Sequence, residues 1–169
     1  SSLLYTKDDR KSVEKKEKKT KEAIMSLKNG MNVNIYLKTK VIQGEAIEEF
    51  LFELVGQVVR VGHHLYIRYQ EPQEDGVTFV PVTVKISPDE SVQLTRVTDS
   101  RLRFKFQYQE MTDTKYPTPY GSMFFQVYTK DLHVSLTDYP TAGKIRLQYD
   151  LLMANERIGE YELYLEFTS

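Results

Sequence analysis

Cysteine and tryptophan are both absent from the 169 residues. Without cysteine there is no disulfide framework, no thiol catalysis and no thiolate metal site, and the composition fits a reducing cytoplasm. No apolar run approaches the roughly 20 residues of a membrane-spanning helix. Charge fills the N-terminus where a signal peptide would carry its apolar stretch. A formal net charge of −1 gives no overall pull toward nucleic acid or anionic lipid. The eight glycines lie near turns and form no Gly-rich phosphate loop, and no serine sits in a Gly-x-Ser-x-Gly setting. The three histidines are His63, His64 and His133. A His-His pair in a strand points its rings to opposite faces and chelates poorly. Neither a metal site, a cofactor nor a catalytic residue is expected.

The near-neutral balance hides two different parts. Residues 1–30 carry nine Lys or Arg against five Asp or Glu, a net of +4, and residues 31–169 carry a net of −5. In the first part only Val13, Ala23, Ile24, Met25 and Leu27 are apolar between Thr6 and Gly30, so a helix there has little to bury before its last two turns. A charged arm, helical or disordered, is expected over 1–30, and a separate domain over 31–169.

From Asn32 onward the period of apolar residues becomes two. Val33, Ile35 and Leu37 alternate with polar neighbours, as do Leu102, Phe104, Phe106 and Tyr108. Ile145, Leu147, Tyr149 and Leu151 follow the same rule, and so do Tyr161, Leu163, Leu165 and Phe167. Each such run is a strand with one wet face and one dry face. Weaker strands fit Glu49–Val55, Gln57–Val61, Leu65–Glu71, Val77–Ile86, Ser91–Val97, Ser122–Lys130 and Leu132–Thr137. About ten short strands without an amphipathic helix suggest an all-β meander, which must curl or close to protect its edges. The expected fold is a closed antiparallel barrel of eight to ten strands, with a sandwich as the alternative. The last strand is expected to complete the barrel by pairing with Lys144–Met153.

Two features could carry function. Polar groups fall on dry faces: Arg96 shares parity with Val92 and Leu94, Thr129 with Phe125 and Val127, and Tyr69 with Leu65 and Ile67. With Tyr108 and Tyr149 they would form a hydrogen-bonded network in which Glu71 pairs Arg96, or an anchor for an anionic head group in an apolar cavity. The second feature is Tyr116-Pro117-Thr118-Pro119-Tyr120-Gly121. Pro119 suits the second position of a turn and Gly121 the fourth, and Tyr116 and Tyr120 could make the loop a lid or contact surface.

The same landmarks carry a resemblance. Leu65-x-x-x-Tyr69-x-Glu71, Arg96, Thr118-Pro119-Tyr120-Gly121, Thr129 and Gly143-x-x-x-x-x-Tyr149-Asp150, in this order over residues 31–168, resemble the YwiB-like family. These are small bacterial β-barrel proteins of uncharacterised function, similar in shape to lipocalins and other calycins. Residues 1–30 have no counterpart in it, and Thr98 stands where relatives usually have glycine. The resemblance implies a calycin-like cytoplasmic barrel with no established activity.

The expected function is non-catalytic binding of a small apolar or anionic ligand inside the barrel. Tyr69, Glu71, Arg96, Tyr108, Thr129 and Tyr149 are the expected contacts. An interaction module with a filled core and a protein partner is the alternative, and an enzyme comes third. An open cavity with Arg96 turned inward favours the first reading; a solid core favours the second.

Overall fold

The computed structural model describes residues 30–169, together with Lys11, Glu14 and Lys15, which are helical and exposed. The arm expected over 1–30 otherwise lies outside the described residues. Ten strands follow one another without an intervening helix: β1 (Met31–Gln43), β2 (Ala46–Val61), β3 (His64–Pro72), β4 (Phe79–Ile86) and β5 (Val92–Val97). The second half comprises β6 (Arg101–Phe106), β7 (Met111–Thr118), β8 (Gly121–Thr137), β9 (Ala142–Met153) and β10 (Glu156–Thr168). Every neighbour in the sheet is also a neighbour in sequence except one pair, β1 and β10, which run antiparallel from Asn34↔Thr168 to Ile42↔Glu160. The final strand therefore pairs with β9, as the alternation requires, and with the first strand as well.

That extra pairing moves the closure elsewhere. The two edges of the sheet are β6 and β7. They lie side by side without a backbone ladder, so the barrel is nearly closed, in place of the fully closed one expected. Side-chain hydroxyls of β7 span the seam. Thr112 Oγ1 donates to the Lys105 carbonyl at 2.6 Å, and Thr114 Oγ1 donates to the Arg103 carbonyl at 3.1 Å. Ser100 Oγ donates to the Pro117 carbonyl at 3.0 Å from the other side. These bonds occupy carbonyls that would otherwise form an open edge.

Two strands expected as pairs are single and long. Gly56 interrupts the apolar pattern of β2 without ending the strand. A Cβ there would stand 2.5 Å from both the Arg68 carbonyl oxygen and Ile35 Cδ1, so only glycine permits this approach of β2 to β3. β8 runs through Lys130 by a register shift between Thr129 and Asp131.

The dry faces converge on one core. The end of the barrel carrying the β4–β5 and β6–β7 turns is filled by Phe106, Phe167, Ile67, Ile145 and Leu165, all essentially buried. At the other end the walls part. β2 pairs β3 only from Gln57↔Arg68 to Val61↔His64, whereas its first eleven residues, 46–56, pair only with β1. The interior at that end is open.

Candidate functional site

The open end holds a cavity of about 600 Å³. Among the described strands, all but β4 contribute to its wall. Most of that wall is apolar, from Phe50 and Phe52 on β2, Phe104 on β6, Phe125 on β8 and Leu163 on β10. The floor is aromatic. Tyr149 stacks on Tyr161 with centroids 5.0 Å apart and planes 7° from parallel, and its other side meets Phe106 at 4.7 Å.

One stretch of wall is polar, and the register explains how it is built. Val82 of β4 lies opposite both Tyr69 on β3 and Arg96 on β5. Valine is short, so the longer side chains on either side reach across it. Arg96 Nη1 donates to Glu71 Oε1 at 2.8 Å, the pairing that the parity of these residues suggests. Both remain partly open to solvent, with side-chain exposures of 31% for Arg96 and 18% for Glu71. Glu71 takes one of the five guanidinium N–H groups, and among the described residues no further side chain accepts from the others.

The phenols of this wall are locked in the neutral form. Burial raises the pKa of Tyr69 far above the ordinary phenol value, the Glu71 charge adds to the rise, and Arg96 opposes it. Burial likewise raises Tyr149, helped by Tyr161 and opposed by Arg96. Both are therefore O–H donors throughout the physiological range. The sign for stability follows: an acid whose folded pKa is raised contributes fully below its unfolded value and loses stability as pH climbs past it. Absorbance near 295 nm during an alkaline titration reads phenol ionisation directly. Tyr69 and Tyr149 should ionise only with unfolding, and Tyr149→Phe should move that unfolding to higher pH. Smooth ionisation of all tyrosines in a folded protein would contradict the burial.

Of the residues expected at the site, Tyr69, Glu71, Arg96, Tyr149 and Tyr116 line the cavity. Tyr108 does not. β6 ends at Phe106, and the chain turns through Gln109, which has a positive φ of 57°, so the alternation stops and Tyr108 is exposed. Thr129 is fully buried, yet it belongs to the filled end; its N–H and carbonyl are held by Glu110 and Gln109. Pro119, Tyr120 and Gly121 also stay clear of the cavity. Tyr116 and Pro117 belong to β7, and Pro119 and Tyr120 form a two-residue hairpin turn with Tyr120 wholly exposed. The segment is a hairpin tip, and of its residues Tyr116 alone lines the cavity. The aromatic wall of Phe50, Phe52 and Phe104 was legible only as dry-face residues, because alternation tells which side faces inward but not whether that interior is full.

These features define a class: a small antiparallel meander barrel, filled at one end and hollow at the other. The chain belongs to the family described as domain of unknown function DUF1934, which matches residues 35–165. It is similar to the ywiB protein from Bacillus subtilis, known from a crystal structure, with a TM-score of 0.68 and 19% sequence identity. The match covers 82% of this chain and 91% of that one. At this identity the likeness is one of fold, and it bears out the resemblance to YwiB-like barrels. No curated protein matches the chain.

Proposed function

We propose that the barrel binds a small amphipathic molecule without transforming it. Its apolar body occupies the hollow, and a hydrogen-bond-accepting head group, a carboxylate among them, meets Arg96, Tyr69 and Tyr149. The observation that carries this reading is a mainly apolar cavity of about 600 Å³ with one polar stretch of wall. Two neutral phenols and the Arg96 guanidinium make that stretch rich in donors. A filled core, which the interaction-module reading needs, would leave no such space.

The test is a titration with 11-(dansylamino)undecanoic acid, a fluorescent amphiphile with a carboxylate head. One molecule per chain is expected, with blue-shifted emission. Leu163→Trp, which puts an indole into the hollow, should weaken binding at least tenfold, about 1.4 kcal/mol. An unshifted spectrum, or equal binding by the Leu163→Trp variant, would remove the cavity as the binding site.

A further inference from the structure

We propose that the outer face of β3–β7 is a binding surface for single-stranded nucleic acid, distinct from the cavity. The wet-face positions of these strands carry Arg68, Lys85, Arg101, Arg103, Lys105 and Lys115, with Asp113 as the single carboxylate among them. The flanking turns carry Glu74, Asp75, Asp89, Glu90, Asp99 and Glu110, so the positive charge is confined to the strands. Among the described residues, none of the six cations lies within ion-pair distance of a carboxylate. Elsewhere on the barrel Arg60, Arg96, Lys130 and Arg157 have carboxylate partners, whereas Lys38, Lys40, Lys144 and Arg146 have none among the described residues. A surface that leaves this many like charges unpaired repels itself, and an anionic partner relieves that repulsion.

The register orders these charges in rows. Arg68, Thr83, Thr95 and Arg103 lie side by side across four strands, and next to them lie Tyr66, Lys85, Gln93 and Lys105. Along β6 the cations Arg101, Arg103 and Lys105 recur every second residue, about 6.6 Å apart in an extended strand. That spacing is commensurate with successive phosphates of an extended single strand. Where the second row reaches the β4–β5 turn, a surface hollow of about 400 Å³ gathers Lys85, Lys105, His64, Ser87 and Gln93, together with the Asp89 carboxylate. Two ammonium groups against one carboxylate leave this hollow with a net positive charge, and His64 Nδ1 and Ser87 Oγ bond each other at 3.2 Å.

The groups between the cations decide the class of polyanion. They are threonines, glutamine and the Tyr66 ring, which lies under Lys85 Nζ at 5.9 Å from its centroid. Hydroxyls and amides match sugar and base edges, and an aromatic ring offers a stacking platform. A membrane surface would call for apolar side chains projecting among the charges; the two rows contain none, although Val97 opposite Arg101, Phe79 and Met111 are exposed on the same face, and the vesicle measurement below tells the two partners apart. The net charge of −1 averages this face against the opposite wall, where Glu49, Glu53, Glu160, Glu162 and Glu166 face outward.

The test is fluorescence anisotropy of the full chain with fluorescein-labelled 20-nucleotide oligouridylate, oligothymidylate in parallel, and vesicles of one-third phosphatidylserine as the membrane arm. Four neutralised phosphates imply a fall in affinity of about 50-fold from 50 to 200 mM salt. The variant R101E/R103E should bind at least tenfold more weakly, whereas K38E/K40E, on the opposite wall, should weaken binding less than twofold. Should the reversed variant not fold, R103Q/K105Q should still reduce the slope of log affinity against log salt by about 1.4. Preference for oligouridylate over oligothymidylate identifies RNA; equal binding identifies single strands of either sugar, and both support the proposal. It is overturned by no oligonucleotide binding at 50 mM salt, by binding that these variants leave unchanged, or by capture on vesicles alone.

Discussion

Replacing Phe167 with alanine is expected to cost about 3–5 kcal/mol, lowering the melting temperature by about 6–20 °C. The ring is fully buried in the filled end, opposite Ile35 on β1 and Gly143 on β9. A Cβ on Gly143 would come within 2.6 Å of the ring, so the aromatic occupies the space the glycine leaves. Alanine at 167 would open a cavity that neither neighbour can collapse into. Leu163, four residues earlier on the same dry face, makes the internal control. It borders the hollow, so its truncation enlarges an existing space and should cost less than about 2 kcal/mol. Urea denaturation of both variants gives the two numbers. Equal losses would mean that the interior is filled along its whole length.

Breaking the Arg96–Glu71 pair gives the second large effect, and a double-mutant cycle separates its parts. Arg96→Met keeps the apolar stem and removes the charge, leaving the Glu71 carboxylate in a part-buried wall without its partner. Loss of one member of a fully buried pair costs about 3–5 kcal/mol. Solvent reaches both groups here, so about 1–3 kcal/mol is expected. Arg96→Met with Glu71→Gln should recover at least half of the loss, because the stranded charge is gone. Amphiphile binding separates the roles further. Both Arg96→Met and the double variant should bind the dansyl acid at least tenfold more weakly, although only the first is strongly destabilised. Unchanged binding in the double variant would leave Arg96 a purely structural role.

How much of this was legible in the sequence depended on what each strand presents to the interior. β1, β9 and β10 bury Val33, Ile35, Leu37, Ile145, Leu147, Leu165 and Phe167 at every second position, and alternation locates them directly. β7 has no such signature. Its inward residues are Thr112, Thr114, Tyr116 and Thr118, three hydroxyls and a phenol. Two of these threonines bridge the seam to β6, so the residues that finish the barrel are the ones that hide the strand. Pro117 added to the disguise, although proline is tolerated on an edge strand. The Arg96–Glu71 pair followed from parity, since both residues share a face with buried apolar neighbours. The hollow did not, because it arises from a mismatch in strand length: β2 has 16 residues and β3 has nine. Such a mismatch appears only once the register is known.

The Thr-bridged seam changes how the molecule responds to load. Mechanically the barrel is a split ring: nine adjacent strand pairs share ladders, and among the described residues one joint is held by three side-chain bonds. A continuous hoop can widen only by shearing ladders, whereas a split ring flexes at its gap. Whatever compliance the bore of this barrel has is therefore concentrated along a single line, from the Ser100–Pro117 bond to the Lys105–Thr112 bond.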